Sequence, residues 1–234
     1  MGEERTGGQA VIRLHCIVEG QTEEAFVNQV LAPHLALYQV FADARCVETS
    51  RDRRAGKVYK GGITNYAKAQ KDMMAWVAED KGADVRFTTM FDLYALPNDF
   101  PGYQHSLQEQ DAYRQVEQLE IELARDINDR RFIPYIQLHE FEALILAQPS
   151  ALDWEYLEHE SAIQNLVNMV GTQNPELINQ GHETAPSKRI LKEIPEYDKV
   201  TSGVSVAECI GLDTLRQKCA HFDQWLTKLE RLAN

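Results

Sequence analysis

The sequence predicts an α/β domain: a parallel sheet of about four strands flanked by helices, with a mainly helical C-terminal part. Three observations predict it. Apolar runs of strand length alternate with segments of helical period as far as Ala147. Beyond Pro149 the apolar residues keep helical spacing alone. Apolar residues make up 44% of a 234-residue chain, enough to bury a core without disulfide or metal staples. The organisation expected is a polar tail over residues 1–9, an α/β core over 10–147, and a helical extension over 148–234 packed on that core.

The elements follow in order. Residues 11–18 are an apolar run interrupted by Arg13 and His15, and read as the first strand, with a turn at Glu19-Gly20. Phe26, Val30 and Leu37 then lie near helical spacing, with Pro33 kinking or ending that helix. Residues 40–47 read as a second strand. Residues 48–62, polar, basic and glycine-containing, read as a loop. Ile63, Tyr66, Gln70, Met73 and Val77 mark one helix face that stops before Gly82. A third strand over 85–91 stops at Asp92, and a loop carrying Pro97, Pro101 and Gly102 follows it. Ser106-Leu107-Gln108-Glu109 has capping-box spacing and is expected to open a long helix. Ala112, Val116, Leu119 and Leu123 are its buried stripe. Residues 132–138 read as a fourth strand and 139–147 as the helix after it. In the C-terminal part, Ile163, Leu166, Val167 and Val170 form one apolar face. Leu215, Cys219, Phe222, Leu226 and Leu229 form a last stripe, suited to the core or to a partner helix.

Composition removes several function classes. No apolar run approaches the ~18 residues of a membrane helix, so no membrane partner is expected. The N-terminus has no apolar stretch and does not read as a signal peptide. The four cysteines form no C-x-x-C pair, which argues against a zinc ribbon or thioredoxin motif, and a reducing cytoplasm is the simplest compartment. Gly56-Lys57 is followed by Val58, so there is no Walker A loop. The net charge of −12 argues against a broad basic surface for nucleic acid. It leaves a nucleic-acid substrate open, because a divalent cation in a carboxylate site reverses the local charge.

In open parallel sheets, ligands bind beyond the carboxyl ends of the strands. Here strand one ends at Glu19, strand three at Asp92, and strand four at His139-Glu140-Phe141-Glu142. Oxygen ligands gathered this way suit Mg²⁺ or Mn²⁺, which activate water for phosphodiester cleavage. The expected metal ligands are Glu19, Glu23, Asp92, Glu140 and Glu142. Glu19, Asp92, Glu140 and Glu142 are the candidate catalytic set. Glu23 would serve equally well beside the positive end of the helix dipole. Glu24 lies about 100° further round the helix, toward solvent. Asp99 reads as a turn former and His139 as a histidine at the core edge. If Glu140 and Glu142 are helical they point about 200° apart; if the strand persists they share a face. Lys57, Lys60, Lys188 and Arg189 are the candidate phosphate contacts, the last two at a helix start after Pro186. The basic stretch over 51–60 reads equally well as a solvated loop.

Val18-Glu19-Gly20 followed by Thr22-Glu23 resembles motif one of Toprim domains, found in topoisomerases, primases and overcoming-lysogenization-defect nucleases. The wider pattern resembles a bacterial Toprim-like family, domain of unknown function number 4276. Its matching stretches here are Ile17-Val18-Glu19-Gly20-Gln21-Thr22-Glu23, Asp92-Leu93-Tyr94-Ala95-Leu96-Pro97, Phe100-Pro101-Gly102, Ile136-Gln137-Leu138-His139-Glu140-Phe141-Glu142-Ala143 and Ala185-Pro186-Ser187-Lys188-Arg189. The resemblance implies a Toprim-like fold, with Glu19 as the motif-one glutamate and Asp92 as the first motif-two aspartate. Toprim catalysts carry Asp-x-Asp at motif two, and this chain has Tyr94 in the second place. Glu140, Glu142 or Asp99 would then supply the missing oxygen. The same resemblance implies a bacterial anti-phage defence or nucleic-acid-processing system and a partner ATPase. The expectation is a Mg²⁺- or Mn²⁺-dependent nuclease acting on DNA or RNA, with a homo-oligomer also expected. The alternative is a non-catalytic Toprim-like subunit that docks on the ATPase. A small-molecule phosphatase is a third use of the same carboxylates.

Overall fold

The computed structural model describes residues 10–52, 57–60, 63, 65–178 and 184–234; the side chains of 48–52 and 57–60 lie outside that description. Strand β1 (Ile12–Val18) leads through Glu19-Gly20 into helix α1 (Gln21–Phe26). A π-helical turn (Val27–Leu31) joins α1 to α2 (Ala32–Ala36). The Ala32 N–H reaches back to the Val27 carbonyl, and Pro33 has no N–H to donate. The proline therefore loosens the helix without ending it. Strand β2 (Val40–Cys46) follows.

Two expectations are corrected in the next stretch. Residues 48–62 do not form only a loop: β3 (Glu48–Asp52) pairs antiparallel with β4 (Lys57–Lys60). These strands are polar, and a backbone ladder forms without the apolar alternation that would have signalled it. Helix α3 (Tyr66–Glu79) is capped by Asn65, whose side chain accepts from the Lys68 N–H at 3.2 Å. Strand β5 (Val85–Asp92) runs into a 3₁₀ turn (Leu93–Ala95), the short α4 (Tyr103–Ser106) and the long α5 (Ala112–Ile127). Ser106 does not open the long helix. It closes α4, with its hydroxyl on the Tyr103 carbonyl at 2.9 Å. The cap of α5 is Asp111, which accepts from the Arg114 N–H at 3.1 Å.

The fourth strand is split into β6 (Phe132–Ile133) and β7 (Ile136–Gln137). Pro134 has no N–H for a ladder, and the Tyr135 N–H goes to Thr89 Oγ1 at 2.8 Å. Helix α6 is only Glu142–Ile145, because His139 takes a φ of 63° and turns the chain first. After a 3₁₀ turn (Pro149–Trp154) come α7 (Glu160–Val170), a second 3₁₀ turn (Pro175–Leu177), α8 (Pro186–Glu193), α9 (Ser202–Ile210), α10 (Leu212–Lys218) and α11 (Ala220–Glu230). No helix among the described residues is long and apolar enough to cross a membrane.

The main sheet is parallel, in the order β2-β1-β5-β6, with β7 also pairing with β5. Side chains alternate between its faces. Ile12, Leu14, Cys16 and Val18 of β1 join a core with α1, α2 and the C-terminal helices. Val85, Phe87 and Phe91 of β5 join a second core with α3 and α5. Thr88, Met90 and Asp92 have the opposite parity, so Asp92 emerges on the face that the C-terminal helices cover. Helix α11 is fixed to that face by Trp225, which donates to Thr88 Oγ1 at 2.9 Å and stacks on Tyr135 at 4.1 Å.

Candidate functional site

The register pairs Val18 with Met90, which brings the carboxyl ends of β1 and β5 together. Glu19 lies one residue past β1, and Asp92 is the last residue of β5. The Asp92 N–H donates to Glu19 Oε2 at 3.3 Å. Glu23, on the first turn of α1, is buried beside them. Glu142, the first residue of α6, is 0% exposed. A residue that sequence reasoning missed completes the group. Lys199, from the loop between α8 and α9, places Nζ 3.2 Å from Glu142 Oε2 and 3.4 Å from Asp92 Oδ2.

Four buried carboxylates thus face one ammonium. Burial pushes the Glu19 carboxyl up to about 8, with Glu23 adding to the rise and Lys199 opposing it. Burial likewise raises Glu142 to about 7 against the pull of Lys199. Asp92 and Glu23 are raised too, by burial first and with Lys199 again opposing. Burial alone would lower the Lys199 ammonium, but Asp92, Glu142 and Glu23 hold it far above its ordinary value.

The donor chemistry fits a divalent cation. All four groups offer hard oxygen atoms. Asp92 Oδ1 and Glu142 Oε1 are buried without a hydrogen-bond partner, and Glu142 Oε2 has only its ion contact with Lys199. Such orphaned carboxylate oxygens are costly unless something takes them up. Glu19, Glu23, Asp92 and Glu142 are the residues that would hold the ion. Among the described residues, however, no three His, Cys, Asp or Glu side chains are drawn together tightly enough to hold a metal. The carboxylates are arranged around the lysine.

The other candidates go elsewhere. Glu140 turns away from Glu142 and accepts the Ser187 N–H at the start of α8, at 2.5 Å. Neither regular geometry applies to this pair: Glu140 lies in the turn after His139, outside both β7 and α6, while Glu142 is the first residue of α6. The helix start proposed for phosphate therefore already holds a carboxylate of the chain. Asp99 is spent on α3, accepting from the Tyr66 N–H at 3.1 Å and the Asn65 amide at 3.2 Å. Arg189 donates to the Thr184 carbonyl at 2.7 Å, and with Lys188 it lines a cavity of about 160 Å³ beside α7. Lys57 and Lys60 lie in β4, with side chains outside the described residues. Tyr94 stands in the 3₁₀ turn after Asp92, its N–H on the His139 carbonyl at 3.0 Å and its ring 5.3 Å from that of His139. Burial lowers the His139 ring to about 4, so it is neutral at pH 7. No local signal marks Lys199 in Tyr197-Asp198-Lys199-Val200. Only the folding of the C-terminal helices over β5 shows where it goes.

A family model described as Domain of unknown function (DUF4276) matches residues 18–230. No curated protein matches the chain. Among solved structures, the chain is similar to the C-terminal region of the Burkholderia pseudomallei OLD protein, at 17% identity and a TM-score of 0.46, covering 95% of this chain and 99% of that one. It is also similar to the C-terminal region of the Xanthomonas campestris pv. campestris OLD protein, at 16% identity and a TM-score of 0.41, covering 93% and 95%. At these scores the likeness carries no weight for activity.

Proposed function

The chain belongs to the family described as Domain of unknown function (DUF4276), and we propose that it is a divalent-metal-dependent nuclease that hydrolyses phosphodiester bonds in DNA or RNA. The single observation that carries this assignment is the meeting of Glu19, Asp92 and Glu142 with Lys199 at the strand ends. The resemblance of Val18-Glu19-Gly20 and Thr22-Glu23 to a Toprim motif supports it. We place the protein in the cytoplasm, in a bacterial defence or nucleic-acid-processing system with a partner ATPase and as a homo-oligomer.

Glu19, Glu23, Asp92 and Glu142 would hold Mg²⁺ or Mn²⁺, and Glu140 is close enough to add to the negative potential at Glu19 and Glu142. When bound, the ion supplies Lewis-acid polarisation of the phosphoryl oxygen. Glu19 would act as general base toward the attacking water or as a ligand to the ion. Lys199, once displaced from Asp92 and Glu142 by the ion, would balance the charge that develops on the phosphoryl oxygens. Lys57 and Lys60 are the basic residues proposed for the flanking phosphates; Lys188 and Arg189 fit that role less well, because Glu140 already takes the start of α8 and Arg189 donates to Thr184. Purified protein with Mn²⁺ should nick a supercoiled plasmid, and Glu19→Gln should slow nicking by about 100-fold or more. No cleavage of any nucleic acid by the wild type, alone or with an ATPase partner, would sink the nuclease assignment.

One observation favours a second function, that of a non-catalytic subunit docked on an ATPase. Tyr94 stands where Toprim catalysts carry a second aspartate. Mn²⁺ titration by calorimetry separates the two. Heat that disappears in Asp92→Asn supports the metal site, and no binding at millimolar Mn²⁺ supports the docking subunit.

A further inference from the structure

We infer that Lys199 sets how readily this site takes a divalent cation: its ammonium bridges Asp92 and Glu142 and must leave them before both can ligate one ion. The inference rests on the metal-dependent assignment above and identifies the residue that controls it.

The geometry is that of a cation already in place. Nζ lies 3.2 Å from Glu142 Oε2 and 3.4 Å from Asp92 Oδ2, joining the start of α6 to the end of β5. Carboxylates held around an ammonium at such distances are spread too widely for Mg²⁺, which takes oxygen ligands at about 2.0–2.1 Å. The absence of a ligating trio among the described residues agrees with that spread. Asp92 Oδ1 and Glu142 Oε1 remain without partners. The ammonium therefore neutralises part of the group and satisfies only part of its oxygen atoms.

Of the three side chains in the bridge, Lys199 is the one free to move. The Glu142 and Asp92 side chains are 0% and 4% exposed, whereas that of Lys199 is 39% exposed. Its side chain already reaches solvent, so the ammonium has a way out that does not require the core to open. The backbone beside it is pinned. The Asp198 N–H donates to Tyr156 Oη at 3.1 Å, and Asp198 Oδ1 accepts from the Thr201 N–H at 2.7 Å and the Thr201 hydroxyl at 2.8 Å. Movement is thus left to the flexible four-carbon side chain. A lysine suits an exchangeable bridge for the same reason. An arginine fork would grip carboxylates more rigidly, through paired hydrogen bonds.

Mn²⁺ binding to the full chain, measured by calorimetry, tests the inference. Lys199→Met removes the charge and keeps a stem of similar length. It should bind Mn²⁺ at least 10-fold more tightly than the wild type, and Lys199→Arg should bind it more weakly. If Lys199→Met does not fold without metal, Lys199→Arg, which keeps the charge, still decides. In the wild type, saturating Mn²⁺ should also raise the rate at which Lys199 is acetylated, read by mass spectrometry. Equal Mn²⁺ affinity in all three proteins would overturn the inference and leave the metal site standing. Weaker binding by folded Lys199→Met, or stronger binding by Lys199→Arg, would overturn it by making Lys199 an aid to the ion. No Mn²⁺ binding by any of the three would overturn it together with the metal-dependent assignment.

Discussion

His15 lies in β1 with a carboxylate at each ring nitrogen, Asp43 at 2.5 Å and Asp80 at 3.4 Å. The Asp43 hydrogen bond raises the imidazole above its ordinary value, against the effect of burial. Burial pushes Asp43 up, but its bond to His15 and the nearby Arg45 outweigh this and leave it lowered. The two shifts define a window. The raised histidine contributes stability that is fully present below about pH 6.5 and is lost as pH rises through its folded value. The lowered aspartate contributes stability present above about pH 4 and lost as pH falls. Asp43 is half exposed, so water screens the pair and the effect is about 1 kcal/mol. Urea denaturation should show the wild type losing about that much more stability than His15→Gln between pH 5.5 and 8.5; equal losses would remove the pair from the account. At this scale the sequence was half legible. Glu19 and Asp92 could be placed because each follows an apolar strand, and strand ends are where parallel sheets present their groups. Lys199 could not, because nothing near it in the chain specifies a partner 107 residues away.

Helix α11 starts on a buried carboxyl group. Glu176, 0% exposed, accepts the His221 and Phe222 N–H groups at 3.1 and 3.0 Å, and the Tyr113 hydroxyl at 2.8 Å. These are free donors of the first turn, where the helix dipole also favours negative charge. Glu176→Ala should cost about 2–3 kcal/mol in urea, and Glu176→Gln less, because the amide keeps one acceptor. A neutral result for both would mean that water replaces the cap. Elements with strong periodicity were legible: α3, α5, α7 and the strands β1, β2 and β5 lie where apolar spacing put them. The capping box at Ser106 lost to a competing local bond, the Ser106 hydroxyl on the Tyr103 carbonyl, and the single fourth strand was broken by a tertiary one, between Tyr135 and Thr89. The β3–β4 hairpin gave no apolar signal at all.

Across the whole molecule, one core on the β1 face runs from Ile12 to Ala233. Trp225 ties its two ends, packing α11 against Tyr135 and Thr88 of the α/β part. Trp225→Ala should cost about 3–5 kcal/mol, the range for truncating a buried aromatic. Far-UV and near-UV signals should still fall together in a single transition. A separate, earlier loss of the C-terminal helices would show that the face is less coupled than its packing requires. Helical character beyond Pro149 was legible from spacing, but the surface those helices cover was not. Periodicity identifies a buried stripe without naming what buries it.

The acidic group draws on residues 19, 23, 92 and 142, and its ammonium on residue 199. A ribosome delivers them in that order. Each nascent chain therefore carries all four acids before their counter-charge has been made, and the cluster is neutralised from within only once the chain has grown past α8. Completion of this pocket follows translation of the helices after α6, and a message cut short between Glu142 and Lys199 encodes the acids without the lysine that restrains them.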